Sequence, residues 1–407
     1  MKKIITRIYH PDGTLAKDIS DIASFDGFTK EINSGLGEAI VKLAVKFDYD
    51  GGEIQIGNYL NIYVSDDDTI NISDGYVIIY SGYISMIEPY VNGSDESISI
   101  HALGEYTKLG LDILKNGANT TLYTDSAAGL TTTADGDAAD VGLIARGIID
   151  RFIAENAGAK ISYSELSIPL TTTTVQYMFQ NKTYRNAIDK IVGMAPAGYF
   201  FYVDEVGLLS LKSKPTTPTH TFEFGKHFSG MRGEKTIESL RNGIIIWNGE
   251  TDVGVGIFYK AYEDATSIAQ FGRRIERYVD PGINNTLVEG EISGDAIAAN
   301  FLELMKRPEI KIYCTIFDNN FDSGVDGITG YDIESIQPGD TCNFVGFDND
   351  KLDFVRENML ITRVDYAIDR VNLTIEAEKT GFADWQEKTK KEVDQVQTDG
   401  TPETYTT

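Results

Sequence analysis

One three-strand pattern occurs twice in this chain, and any fold it adopts must accommodate both copies. The first copy runs from Ile56 to Val64, then Ile79 to Ile87, then Ser97 to Ala102. The second runs from Gln337 to Val345, then Asn358 to Val364, then Asn372 to Ala377. In each, a turn at Gly57 or Gly339 opens a strand, a second apolar strand follows, and a third alternates with period two before ending at an alanine. The duplication has a consequence for assembly. A chain with two equivalent edges offers twice as many docking positions as it has copies, so three such chains imitate a ring of six.

With 407 residues, 42% of them hydrophobic, the chain has room for about two to four domains with real cores. Its apolar runs are short: Gly193 to Val203 is broken by Pro196 and Gly198, far from the roughly 20 residues of a spanning helix, so no membrane insertion is expected. The start, Met1 to Arg7, carries basic residues but meets His10, Pro11 and Asp12 at once, and no targeting segment is read there. Asp and Glu number 62 against 36 Lys and Arg, a formal charge of -26. That balance opposes tight binding to a nucleic-acid backbone, where cations must replace counterions. It suits either DNA sliding past an acidic wall or a large assembly kept soluble by charge. Cys314 and Cys342 both lie on apolar strand patterns and make no disulfide framework; they read as small buried residues.

The expected fold class is mainly β with an α+β insertion: two tube-like β-barrel domains and a middle domain of helices and a hairpin. Residues 1–108 form the first barrel domain, cut by turns such as Pro11-Asp12-Gly13 and Asp50-Gly51-Gly52, with Ala39 to Phe47 as its strongest strand. Residues 109–214 form the middle domain. Its stretch 116–140, rich in Thr, Gly, Ala and Asp, reads as a long exposed loop. Helices are expected over Gly142–Asn156, capped by Asp140, and over Thr183–Met194, stopping before Pro196. Gly198 to Leu211 reads as a hairpin, with alternate rings of Tyr199 to Tyr202 buried. After the Pro/Thr linker 215–220, residues 215–382 form a second β-rich domain containing the second barrel and a helix over 295–306, started by Gly294 and Asp295 and ended by Pro308. Residues 383–407 form a charged helix and a polar tail.

Catalytic constellations are thin. The four histidines, His10, His101, His220 and His227, form no two-histidine helix motif and no nucleophile elbow. His220, Glu223 and His227 straddle a strand and a turn, so a surface role is expected in place of a zinc site. Asp318 to Gly324 resembles the start of a calcium loop, but its glycine comes one place late and Thr329 stands where a bidentate Glu is required; a polar hairpin tip is the default. No glycine-rich segment carries the Gly-Lys-Ser/Thr end of a phosphate cradle. No catalytic residue, metal or cofactor is assigned.

The order of elements resembles a known family. Tyr80-Ser81-Gly82-Tyr83-Ile84, the segment Tyr184 to Ile191 leading into Ala197 to Asp204, and the late Ile336-Gln337-Pro338-Gly339-Asp340 are together similar to the baseplate hub proteins of tailed bacteriophages. These include the N-terminal part of siphophage tail-associated lysins and the hub of contractile tails. The resemblance covers roughly residues 1 to 380. It implies a homotrimer whose two tube-like barrels per chain form a pseudo-sixfold ring at the tail tip of a virion. The implied partners are a distal tail or tail tube protein, a tape measure protein, and further tip or receptor-binding proteins, with DNA passing through the lumen without specific binding. After about residue 382 no peptidase or muramidase domain follows, so no enzyme is expected. Trp385 and Glu387 to Lys391 would sit where a further tip protein attaches.

From position on the strong early strand and its later counterpart, ring contacts are expected at Lys42, Val45 and Phe47 and at Ile361, Arg363 and Val364. Two other readings remain open: a tail-associated peptidoglycan hydrolase with its site in the middle domain, and a glycan- or receptor-binding tail protein using Tyr199 to Tyr202 or the 116–140 stretch.

Overall fold

A computed structural model describes residues 3–44, 53–65, 76–92, 95–133, 136–248, 258–280, 282–283, 287–319, 327–347, 355 and 357–376. Seven strands build the first module: β1 (Lys3–Tyr9), β2 (Leu15–Asp18), β3 (Ala23–Glu31), β4 (Ser34–Ala44), β5 (Tyr59–Ser65), β6 (Val77–Asn92) and β7 (Asp95–Gly104). Their hydrogen-bonded order is β2-β1-β5-β6-β7-β4-β3. Alternation along β4 and β7 turns Ala39, Val41, Leu43, Ile98, Ile100 and Ala102 to one buried face, as period two requires.

A middle body follows. It contains β8 (Thr121–Asp125), β9 (Gly129–Thr131), β10 (Ala139–Asp140), α1 (Val141–Glu155), β11 (Thr174–Val175), β12 (Met178–Gln180), α2 (Tyr184–Met194), β13 (Tyr199–Val203) and β14 (Leu209–Ser213). The caps are those the residue types favour: the Asp140 carboxylate accepts from Gly142 N at 2.7 Å, and the Thr183 hydroxyl accepts from Asn186 N at 3.1 Å. The 116–140 stretch is not one long loop. β8 pairs with both β9 and β12, because alternate residues Leu122 and Thr124 turn inward and Leu130 joins the core. The Tyr199–Leu211 hairpin is present, but Phe200, Phe201, Tyr202 and Val203 are all buried, so its rings do not alternate. The strand is covered on both faces: Phe201 and Val203 enter the middle core, while Phe200 packs with Ile32 and Leu360.

The second module comprises β15 (His220–Glu223), β16 (Met231–Thr236), β20 (Glu309–Phe317), β21 (Thr341–Val345), β22 (Met359–Tyr366) and β23 (Arg370–Glu376). Between β16 and β20 the chain inserts β17 (Gly243–Trp247), β18 (Tyr259–Glu263), α3 (Ala265–Phe271), β19 (Ile275–Val279) and α4 (Leu287–Met305). This insertion does not pack with the strands that flank it in sequence. Ile244, Ile246, Phe258, Ile297, Phe301 and Leu304 share one core with α1 and α2. Asn300 of α4 donates to the carbonyls of Val192, Gly193 and Ala195 at the end of α2, where the helix supplies few partners of its own. α4 starts at Leu287, before the expected start at Gly294 and Asp295. Gly294 lies inside the helix, where a Cβ would come within 2.6 Å of the Phe258 ring and close packing therefore requires a glycine.

The protein is mainly β, as expected, but its sheets do not close into barrels. The main path runs openly from β16 through β20, β23, β22, β3, β4, β7, β6, β5 and β1 to β2. The physical reason is that β3, at the free end of the first module, is taken by β22 of the second. Their antiparallel register places Arg363 opposite Glu31, Val364 opposite Lys30, Asp365 opposite Thr29 and Tyr366 opposite Phe28.

Candidate assembly surface

The two copies of the sequence pattern have the same hydrogen-bonding order. In the first, β1-β5-β6-β7-β4-β3 are neighbours; in the second, β15-β21-β22-β23-β20-β16. The likeness extends to single atoms. Gly57 N donates to Ile84 O and Gly339 N to Ile361 O, each at 2.8 Å. Ile84 N donates to Asn58 O at 2.7 Å and Ile361 N to Asp340 O at 2.8 Å. Both glycines sit at positive φ, +91° and +93°, which a side chain disfavours. The ladder to the third strand slips between Ile84 and Met86 in one copy and between Ile361 and Arg363 in the other. At each slip the skipped hydroxyl residue donates across the ladder, Ser85 to His101 O and Thr362 to Thr374 O. One difference stands: β1 runs antiparallel to β5, whereas β15 runs parallel to β21.

Of the expected ring-contact residues, Lys42 and Arg363 are exposed, and Lys42 Nζ reaches Asp26 at 2.7 Å. Arg363 Nε reaches Asp365 at 2.9 Å. Ile361 and Val364 are corrections: both are 0% exposed inside the chain's own core, because β22 has β21 and β23 beside Ile361 and β23 and β3 beside Val364. Val45 and Phe47 lie outside the described residues, as do most of the 318–329 calcium candidate, Trp385 and Glu387 to Lys391.

Charged groups inside the fold act as ties between its parts. Lys30 is buried between Glu205, at the tip of the β13–β14 hairpin, and Gln337, beside the Gly339 turn. Lys190 contacts Asp280 and Tyr278, while the Tyr177 and Tyr278 hydroxyls donate to the two Asp280 oxygens at 2.8 and 2.9 Å. Burial raises the Asp280 carboxyl to about 6, against the hydrogen bonds from Tyr177 and Gly282 N that favour its charged form, and burial pushes Lys190 well below the usual ammonium range. Near Tyr59, Lys108 bonds both the Tyr59 hydroxyl at 2.7 Å and Glu105 at 2.8 Å.

His220 is not at the surface: it is buried between the Tyr331 hydroxyl at 3.1 Å and Asp340 at 3.0 Å, which ties β15 to the Gly339 turn. His227 Nδ1 instead accepts from Glu223 N at 3.1 Å, so the candidate trio does not converge. Burial, then the neighbouring Lys226 charge, lowers the His227 value. Among the described residues no cluster of His, Cys, Asp and Glu suits a metal ion, and no helix is long and apolar enough to cross a membrane. The sequence pattern revealed the repeat; it did not reveal the β3·β22 joint, for which no local signal exists.

No sequence-family profile and no curated protein matches this chain. Solved structures do. The 43 kDa tail protein of prophage MuSo2 from Shewanella oneidensis is similar at a TM-score of 0.57 and 13% identity, over 92% of this chain and 98% of that one. A tail protein from Neisseria meningitidis MC58 gives 0.56 and 10%, over 92% and 96%. Prophage tail protein gp18 from Listeria monocytogenes EGD-e gives 0.53 and 12%, over 96% and 98%. At these identities the likeness is one of fold, and it extends over nearly the whole length of each chain.

Proposed function

We propose that this chain is a structural hub of a phage tail tip or baseplate, assembling as a homotrimer whose six modules form a pseudo-sixfold ring. The observation that carries the reading is the module built twice with the same strand order and the same Gly57 and Gly339 hydrogen bonds. Two equivalent modules per chain are what a threefold assembly needs to match a sixfold neighbour. The shared fold with three tail proteins, two of them from prophages, supports a place in a tail.

In this reading the ring joins a hexameric tail tube or distal tail protein to the tip, with further tip or receptor-binding proteins beyond it. The tape measure and then DNA pass through its lumen, and a formal charge of -26 disfavours sticking to the DNA backbone. The reading assigns no catalytic residue. The aromatic run offers no sugar platform, since Phe200, Phe201 and Tyr202 are buried.

Native mass spectrometry across a concentration series tests the proposal. A trimer is expected; a monomer at every concentration overturns it.

A further inference from the structure

We propose that the outer edge of β16 in one copy of this chain docks antiparallel onto β6 of a second copy, with Gly233 opposite Pro89. This inference rests on the trimeric reading above and names the surface that would close it.

The argument starts from the joint inside the chain. There β3 of the first module pairs with the second half of β22 in the second, with Phe28 opposite Tyr366. Each strand has a counterpart. Ile84 matches Ile361 through the Gly57 and Gly339 amides, and counting along the two ladders makes Pro89 the counterpart of Tyr366: Pro89 faces Ile98 and Tyr366 faces Val371. Likewise Ala39 matches Ile312, so Phe28, opposite Ala39, corresponds to Gly233, opposite Ile312. The pair Phe28·Tyr366 within one chain therefore predicts the pair Gly233·Pro89, which the single chain cannot make, because six strands separate β16 from β6 in the sheet.

Burial records the difference. Where β3 covers β22, Val364 is 0% exposed and Tyr366 4%. Their counterparts on β6 are Ile87, only partly buried, and Pro89, exposed, with Met86 at 45% and Tyr90 at 56% beside them. Among the described residues, β16 ends the sheet and the second half of β6 pairs only with β7.

Backbone direction also fits. Ile32 N donates to Thr362 O at 3.0 Å, so by antiparallel alternation Val364 and Tyr366 aim their backbone groups at β3. Ile87 and Pro89 then aim outward. Because Pro89 aims outward it owes β7 no donor, and in the joint it gives Gly233 one hydrogen bond fewer than Tyr366 can give Phe28. Its carbonyl still accepts, and Gly233 opposite it adds no side chain to crowd the ring. In this register Arg232 faces the Tyr90 ring and lies diagonal to Glu88, offsetting the Glu88–Glu234 juxtaposition. The contact is heterologous, β16 to β6. With threefold closure it gives three joints between chains that alternate with three β3·β22 joints within them.

Met86 and Thr236 would be directly opposed on one face of the sheet. A Met86→Cys/Thr236→Cys double variant, oxidised and run on a non-reducing gel, should give disulfide-linked species up to the trimer. Each single variant, and an Ile87→Cys/Thr236→Cys pair on opposite faces, should give none. A second opposed pair, Glu88→Cys/Glu234→Cys, guards against a local folding defect. If native mass shows a trimer while neither opposed pair crosslinks between chains, the β16·β6 joint is overturned and the hub reading survives. A monomer overturns both.

Discussion

Lys30 Nζ on β3 and the Gln337 side-chain oxygen meet at 3.1 Å, so an ammonium of the first module is held beside the Gly339 turn of the second. The same ammonium contacts Glu205 from the middle body. Three parts of the chain thus converge on one buried charge, whose side chain is 4% exposed.

Removing that charge should be costly. Lys30→Ala leaves Glu205, 14% exposed, without its cation, and truncating one partner of a buried pair costs about 3–5 kcal/mol. Replacing both, Lys30→Met with Glu205→Leu, should recover most of the loss. Urea denaturation of the two singles and the double closes the cycle; additive losses would mean that the contact does not couple the modules.

The two matched turns should respond unequally to one change. At Gly57 a Cβ meets nothing within 4 Å, so Gly57→Ala bears only the positive-φ strain, about 1 kcal/mol. At Gly339 a Cβ would lie 2.4 Å from the Phe200 ring, which adds overpacking of about 1–3 kcal/mol. Denaturation midpoints should therefore rank Gly339→Ala below Gly57→Ala, and equal midpoints would refute the packing argument.

Both cysteines should be inert in the folded chain. Cys314 and Cys342 are free and buried, and burial pushes both thiols up, away from the reactive thiolate. A thiol reagent at pH 8 should label neither in native protein and both in urea. Fast native labelling would contradict the core placement.

The cap of α3 should carry a pH dependence of known sign. Ser267 N donates to the Asp264 carboxylate at 2.9 Å, and that bond, then the Lys306 charge, holds the carboxyl below its ordinary value. A carboxyl lowered on folding stabilises above its unfolded value and loses that contribution as pH falls through the folded one. Asp264→Ala should cost about 1 kcal/mol near neutral pH, with the gap to wild type closing in acid. A gap independent of pH would sink this account.

The repeat was legible because its marks are local. A glycine that must take positive φ, an apolar alternation and a cap such as Asp140 or Thr183 each report on a few neighbouring residues. Even the alignment of the third strands is nearly right: Ile375 takes the place of Ala102, two residues before the expected Ala377, and a shift of two keeps every side chain on its face. Period two says which face a residue takes and is silent on which strand lies beside it. That silence is why Ile361 and Val364 read as surface contacts but are buried, and why Gly294 read as a helix start.

Local chemistry in the chain therefore settled α1, α2, the two turns and the duplicated module, though not the strands within 116–140 or α3. Tertiary packing alone decided that β3 pairs with β22, that the sheet stays open, and that the insertion after β16 joins the core of α1 and α2. Strand edges and exposed apolar faces are satisfied by whichever partner removes most surface from water, and that partner is chosen across hundreds of residues of chain.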